Sequence, residues 1–214
     1  MNYIVKKGNS TYLHYNRIID RNYVSSNILI QFVLNRLLKK IAGLLKKINS
    51  VCLLTLDIGC GEGHMIEYFK QHHLVGRYVG ADLNPEKIKY AATYHPAWKY
   101  LVTDVEALAF KSNAFDCILA AEMLEHLPDP VQALKEIKRV AKPGAYFIIS
   151  VPNEPSFRWC NMLRGKYWNR GGRTPGHLNF WSRSEFKKML RQHCEIKEEH
   201  IFSTFPWTLF KCKF

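Results

Sequence analysis

The chain has 214 residues, 47% of them apolar, enough to bury one substantial core with additions rather than to require several domains. Its six cysteines (Cys52, Cys60, Cys117, Cys160, Cys194 and Cys212) include no Cys-x-x-Cys pair and several fall in apolar runs, which argues against a disulfide scaffold and fits a reducing, cytoplasmic setting. The 31 basic and 18 acidic side chains leave +13 at neutral pH, pointing to anionic partners, while the sequence shows no signal-peptide pattern, internal repeat or uninterrupted membrane-spanning run.

Residues 1–50 are expected to form a helical N-terminal extension, and 51–214 the main domain. Between 21 and 48, Phe32, Leu34, Leu37, Leu38, Ile41, Leu44, Leu45 and Ile48 recur at spacings of three and four, the pattern of an amphipathic helix. Such a helix either lids a ligand site or packs on a sheet. Its Lys39-Lys40 and Lys46-Lys47 pairs make either a solvated face or a contact for an anionic membrane surface. Strands are expected near 51–58, 77–83, 98–103, 115–121 and 145–151, alternating with helices near 63–73, 85–95 and 130–142; this order gives a parallel sheet covered on both faces. The segment 154–181 carries neither period and reads as an irregular insertion over the site edge. A helix from Ser184 to His193 and strands near 195–203 and 207–213 finish the sheet.

The first of those strands runs into Asp57-Ile58-Gly59-Cys60-Gly61-Glu62-Gly63 and then a helix, so backbone approaches a nucleotide-sized ligand at the carboxyl edge of the sheet. One residue, not two, separates the second and third glycines, unlike the dinucleotide fingerprint. Asp82 follows Gly63 by 19 residues, where an acidic side chain accepts hydrogen bonds from ribose hydroxyls.

Asp57-x-Gly59-x-Gly61-x-Gly63 resembles the first motif of the class I S-adenosylmethionine (SAM) methyltransferases. Further segments agree in order: Val102-Thr103-Asp104-Val105-Glu106, Asn113 to Ile118, Glu122 to Pro130, Lys135 to Gly144 and Val151-Pro152-Asn153. The resemblance implies a doubly wound α/β fold with a mostly parallel seven-stranded sheet. It also implies SAM contacts from Asp57, Gly59, Cys60, Gly61 and Gly63, from Asp82 and Leu83 at the ribose, from Asp104 and Val105 at the adenine, and from Glu122. A nicotinamide-dependent oxidoreductase shares the fold, but the glycine spacing and the Asp104 segment argue against it.

In the insertion, Arg158, Arg164, Lys166, Arg170 and Arg173 lie among Trp159, Tyr167, Trp168 and Trp181. Basic and stacking groups together suit an acidic or aromatic acceptor, or nucleic acid; the alternative is a solvated face over core aromatics. Glu122-x-x-Glu125-His126, read as one helical turn, puts two carboxylates and an imidazole on one face. This resembles ubiquinone-pathway O-methyltransferases and small-RNA terminal 2′-O-methyltransferases, which associate a divalent metal with Glu-x-x-Glu-His. The resemblance implies Glu122, Glu125, His126 and His177 as ligands of magnesium or manganese. Without a metal, His126 or His177 is the candidate catalytic base. The reading is therefore methyl transfer to a hydroxyl of a small or lipid-like molecule, with an RNA 2′-O-methyltransferase or a non-catalytic SAM- or RNA-binding protein as alternatives.

Overall fold

The computed structural model describes residues 3–7, 10–14, 28–48, 53–74, 76–201 and 207–214. The chain opens with β1 (Tyr3–Lys7) and β2 (Ser10–His14), an antiparallel pair in which Lys7 faces Ser10. The expected helical extension thus begins with a hairpin, and Gly8-Asn9 between the strands is the two-residue turn signal for it. Helix α1 spans Ile28–Lys47; residues 21–27, where the sequence pattern begins, lie outside the described residues. Its stripe of Leu37, Leu38, Ile41, Leu44 and Leu45 is buried with Met65, Ile66 and Phe69 and with Cys117, Leu119 and Ile148 of the sheet, so the helix packs on the sheet.

Next come β3 (Leu54–Ile58), α2 (His64–Gln71), β4 (Arg77–Asp82), α3 (Pro85–Tyr94), β5 (Lys99–Val102), β6 (Phe115–Ala121), α4 (Pro130–Val140) and β7 (Ala141–Pro152). The chain ends with α5 (Glu154–Leu163), α6 (Arg183–Leu190), β8 (Glu195–Ile201) and β9 (Trp207–Lys213). Val51 and Cys52, expected to start β3, and residues 202 and 203, expected to end β8, lie outside the described residues. The other five cysteines are free.

The strands form a seven-stranded sheet in the order β5-β4-β3-β6-β7-β9-β8, parallel except that β9 runs antiparallel to both neighbours. Alternation along β6 shows why both faces are covered. Cys117 and Leu119 point to the α1 and α2 side, whereas Ile118 and Ala120 join Leu134, Ile137, Phe186 and Leu190 of α4 and α6 on the other.

Chain order reverses between β3 and β6, which are direct neighbours, with Ile58 opposite Ala120. The loops leaving their carboxyl ends therefore diverge and open a crevice there, the general ligand position in such sheets. Arg139 of α4 fixes one wall by donating to the carbonyls of Leu108 and Phe110, both at 2.8 Å, while Glu136 accepts the Leu108 N–H at 2.9 Å. The segment after Asp104 is thereby tied to the sheet.

The expectation of an irregular insertion over 154–181 needs correction, because its first ten residues form α5. That helix leaves Trp159 and Leu163 facing solvent, so it lacks the buried stripe by which a helix is recognised in sequence.

Candidate active site

The glycine loop is built as a backbone hook around the ends of β3 and β4. Gly59 and Cys60 donate to the Ala81 carbonyl at 2.7 and 3.1 Å, and Gly61 donates to Asp82 Oδ2 at 3.0 Å. Asp82 Oδ1 accepts from Asn84 N–H at 2.8 Å, so both carboxylate oxygens are oriented by backbone. Gly59 has φ of +74° and its absent Cβ would lie 2.8 Å from Met123 Cγ. The glycine is needed as much for that packing across the crevice as for ligand approach. Asp57 is buried at the end of β3, its Oδ2 has no hydrogen-bond partner among the described residues, and burial followed by the charge of Asp82 pushes its carboxyl up.

Leu83 leads into α3, and Asn84 caps that helix by accepting from Glu86 and Lys87 N–H. Asp104 follows β5; its Oδ1 accepts Glu106 N–H at 2.9 Å, and the adjacent Val105 is buried. Gly80, which sequence reasoning passed over, is where Cys60 and Tyr100 close on the β4 backbone. A Cβ there would stand 2.7 Å from Tyr100 Cδ1 and 2.8 Å from Cys60 Sγ. Gly80→Val should cost about 1–3 kcal/mol by overpacking and displace the Cys60 loop. Denaturant melts and a SAM titration check this; wild-type values in both would contradict the packing.

Beyond β6 the loop 122–127 is zipped to the loop 174–181. The Glu125 carbonyl accepts Leu178 and Asn179 N–H at 2.8 and 3.0 Å, and Asn179 Nδ2 donates to the Leu127 carbonyl at 2.7 Å. His126 Nδ1 lies 2.9 Å from the Gly176 carbonyl, which requires the proton on Nδ1 and puts the acceptor lone pair on Nε2. His177 Nδ1 lies 3.0 Å from Glu154 Oε1, and the two imidazoles meet edge to face with centroids 4.9 Å apart. Glu125, His126 and His177 each offer a ligand atom within 4.8 Å of the others.

Glu122 does not join this cluster, contrary to the four-residue ligand set expected from the motif. Its φ is +54°, the helical turn begins only at Leu124, and its Oε1 accepts from Ser150 Oγ at 2.9 Å. Glu154, at the start of α5 and only 4% exposed, instead holds His177 from outside the cluster, through Nδ1. The motif carried no hint of this residue, which stands first in α5, directly after Asn153.

Burial, opposed by the Ser150 hydrogen bond and reinforced by Glu154, pushes the Glu122 carboxyl up to about 8, and burial with the charge of Glu122 drives Glu125 up as well. A raised carboxyl holds its proton in the folded chain after the unfolded chain has lost it near 4.5. Its stabilising contribution is therefore complete below 4.5 and lost as pH rises through about 8. The denaturation midpoint of the metal-free protein should fall across that window, and Glu122→Gln should flatten the fall. Identical slopes for the two proteins would contradict it.

Residues 56–149 match the family described as a methyltransferase domain. With the motif order and the sheet topology, this span is similar to the class I SAM-dependent methyltransferases. The chain is 33% identical over 120 residues to a ubiquinone biosynthesis O-methyltransferase of Cereibacter sphaeroides, covering 54% of this chain and 48% of that protein. It is 27% identical over 140 residues to a 2-methyl-6-phytyl-1,4-hydroquinone methyltransferase of a Synechocystis strain, covering 64% and 39% respectively. The chain thus spans about half or less of these relatives' lengths. In fold it resembles the PH0226 protein of Pyrococcus horikoshii OT3, with a TM-score of 0.71 and 18% identity over 90% of this chain and 95% of that one.

Proposed function

We propose that this chain transfers the methyl group of SAM to a hydroxyl of a small or lipid-like acceptor. The observation that carries the reading is the row of groups along one sheet edge. Across the sheet order β5-β4-β3-β6, Asp104 after β5, Asp82 at the end of β4, the glycine hook after β3 and the His126–His177 pair beyond β6 follow one another, with the switch point between the last two.

These residues fit the cofactor on grounds of donor chemistry. Asp82 accepts ribose hydroxyls, with Leu83 beside it; Asp104 accepts the adenine amine and Val105 lines the ring; the orphaned Asp57 Oδ2 suits a cationic amino group. Gly59, Cys60, Gly61 and Gly63 supply the backbone wall. Bound SAM supplies an electrophilic sulfonium methyl. His126 Nε2 or His177 Nε2 takes the acceptor proton, and the Gly176 carbonyl and Glu154 hold the rings so that each Nε2 is the basic nitrogen.

A second reading is favoured by one observation, the convergence of Glu125, His126 and His177 ligand atoms. One oxygen and two nitrogens, with both Nδ1 atoms anchored outside, suit a divalent cation such as magnesium or manganese, which would lower the acceptor's pKa. Glu122, bonded to Ser150, is then outside the ligand set.

Localisation is left to the same reading: no helix among the described residues is long and apolar enough to cross a membrane, and the free cysteines suit a reducing cytoplasm. The lysine-bearing face of α1 is solvent-exposed at Lys39, Lys46 and Lys47 and suits an anionic membrane surface. Nucleic acid is the alternative acceptor for the basic insertion, without a specific observation in its favour.

Radiolabelled SAM offered to lipid, RNA, protein and small-molecule fractions, with and without EDTA, tests these points. Label in the small-molecule or lipid fraction that resists EDTA supports the histidine base. Loss in EDTA with recovery on adding magnesium or manganese supports the cation. Label confined to RNA overturns the small-acceptor reading.

A further inference from the structure

Beside His177 the described residues line an open cavity of about 420 Å³ whose walls include the exposed Arg170 and Arg173 with Thr174, Gly176, His177 and Phe180. A larger cavity of about 770 Å³ lies elsewhere, along β8, and contains none of the candidate cofactor, base or metal-ligand residues. We propose that the smaller cavity is the subsite for an anionic group on the acceptor, a carboxylate or phosphate, held by Arg170 and Arg173 while the hydroxyl lies at the histidine pair. The proposal rests on the methyl-transfer reading and adds the substrate class.

Three observations carry it. Among the described residues no acidic side chain lines the cavity, although Glu154 meets the same histidine ring at Nδ1. Arginines lining the cavity beside His177, with the Glu154 carboxyl taken up at Nδ1, would orient a hydroxy acid with its anion toward the arginines. Arg170 and Arg173 also belong to one turn, since Arg173 N–H donates to the Arg170 carbonyl at 3.2 Å, so their side chains start from neighbouring points on one wall. The Arg173 guanidinium lies over the Phe180 ring at 5.0 Å, which limits its freedom and leaves the planar fork for a bidentate anion.

The wall is also built rather than loose. Arg158 Nε donates to the Gly171 carbonyl at 3.0 Å, and Asn161 Nδ2, buried, donates to the Gly172 carbonyl and Thr174 Oγ1 at 2.9 and 3.1 Å. A Cβ on Gly172 would come within 2.3 Å of the Arg158 carbonyl oxygen, so the loop lies directly on α5. Of the five basic residues in the segment, Arg158 is thus occupied in bracing, Arg164 and Lys166 lie outside the cavity, and only two face it.

The probe pair is 4-hydroxyphenylacetate and its uncharged amide, titrated calorimetrically into the full chain with and without S-adenosylhomocysteine, with inorganic phosphate as competitor. The carboxylate should bind about tenfold more tightly than the amide, with a gap that narrows as salt is raised. Arg170→Ala with Arg173→Ala should remove the gap, and Arg164→Ala with Lys166→Ala should keep it. Competition by inorganic phosphate would extend the site to phosphorylated acceptors; its absence would restrict it to carboxylates. Equal binding of acid and amide, no carboxylate binding at millimolar concentration, or a gap that survives loss of both arginines would overturn the proposal. So would displacement by a short oligoribonucleotide at lower concentration than the acid. Unchanged SAM affinity in the double variant excludes a folding defect. If the carboxylate gap holds but no fraction accepts methyl, the subsite stands and the methyl-transfer reading falls.

Discussion

His126→Ala should lower methyl transfer at neutral pH by about 10²- to 10⁴-fold, the usual contribution of a positioned acid or base. SAM affinity should hardly change, because His126 is anchored to Gly176 in the loop 174–181 and not to the glycine hook. The loss should shrink at high pH, where the acceptor hydroxyl ionises unaided. His177→Ala should behave similarly if its Nε2 takes the proton; a loss at one histidine alone names the base. Glu154→Gln, which keeps an acceptor oxygen opposite His177 Nδ1, should retain more turnover than Glu154→Ala. Rate measurements across pH with saturating SAM check all of these, and wild-type rates in both histidine variants would contradict the assignment.

Asp82→Ala should weaken SAM binding by about 1.5–3 kcal/mol, one to two orders of magnitude, since charge-assisted hydrogen bonds to the ribose are lost. The same substitution removes the acceptor for Gly61 N–H and Asn84 N–H, so the glycine hook and the entry to α3 relax together. The measured loss therefore includes loop ordering as well as direct contact. Asp82→Asn, which keeps one acceptor oxygen, should lose less. Calorimetry on the three proteins separates the cases, and equal affinities would show that the ribose lies elsewhere.

Much of the sheet was legible because both faces of its central strands are buried, so β3, β6 and the end of β7 had to be apolar. The expected strands at 77–83, 115–121 and 207–213 lie within a residue of Arg77–Asp82, Phe115–Ala121 and Trp207–Lys213. The order of the candidate cofactor residues was legible for a different reason. A glycine hook and two acidic strand ends sit at fixed offsets from strands whose positions are themselves clear, so Gly59, Asp82 and Asp104 fall where topology brings them together.

The substrate side was only half legible. Reading Glu122 to His126 as one helical turn assumed right-handed backbone from Glu122 onward, but its φ of +54° sends the side chain to Ser150. Glu125, His126 and His177 do converge, through backbone bonds between loops separated by more than 40 residues of sequence. Such pairing leaves no periodic trace. Glu154 and α5 were hidden for a related reason, since a helix that exposes Trp159 and Leu163 shows no apolar stripe on the buried side. The hairpin of β1 and β2 carried its turn signal in Gly8-Asn9, but short strands beside a long amphipathic pattern are easily absorbed into it.

The hook after β3 is expected to bind SAM. Titrating the purified full chain with SAM, S-adenosylhomocysteine and NAD in one calorimetric series tests it most directly. One SAM and one S-adenosylhomocysteine site per chain are expected, both weakened by Asp82→Ala, with no heat from NAD. Binding of NAD in preference to SAM, or SAM binding that is indifferent to Asp82, would contradict it.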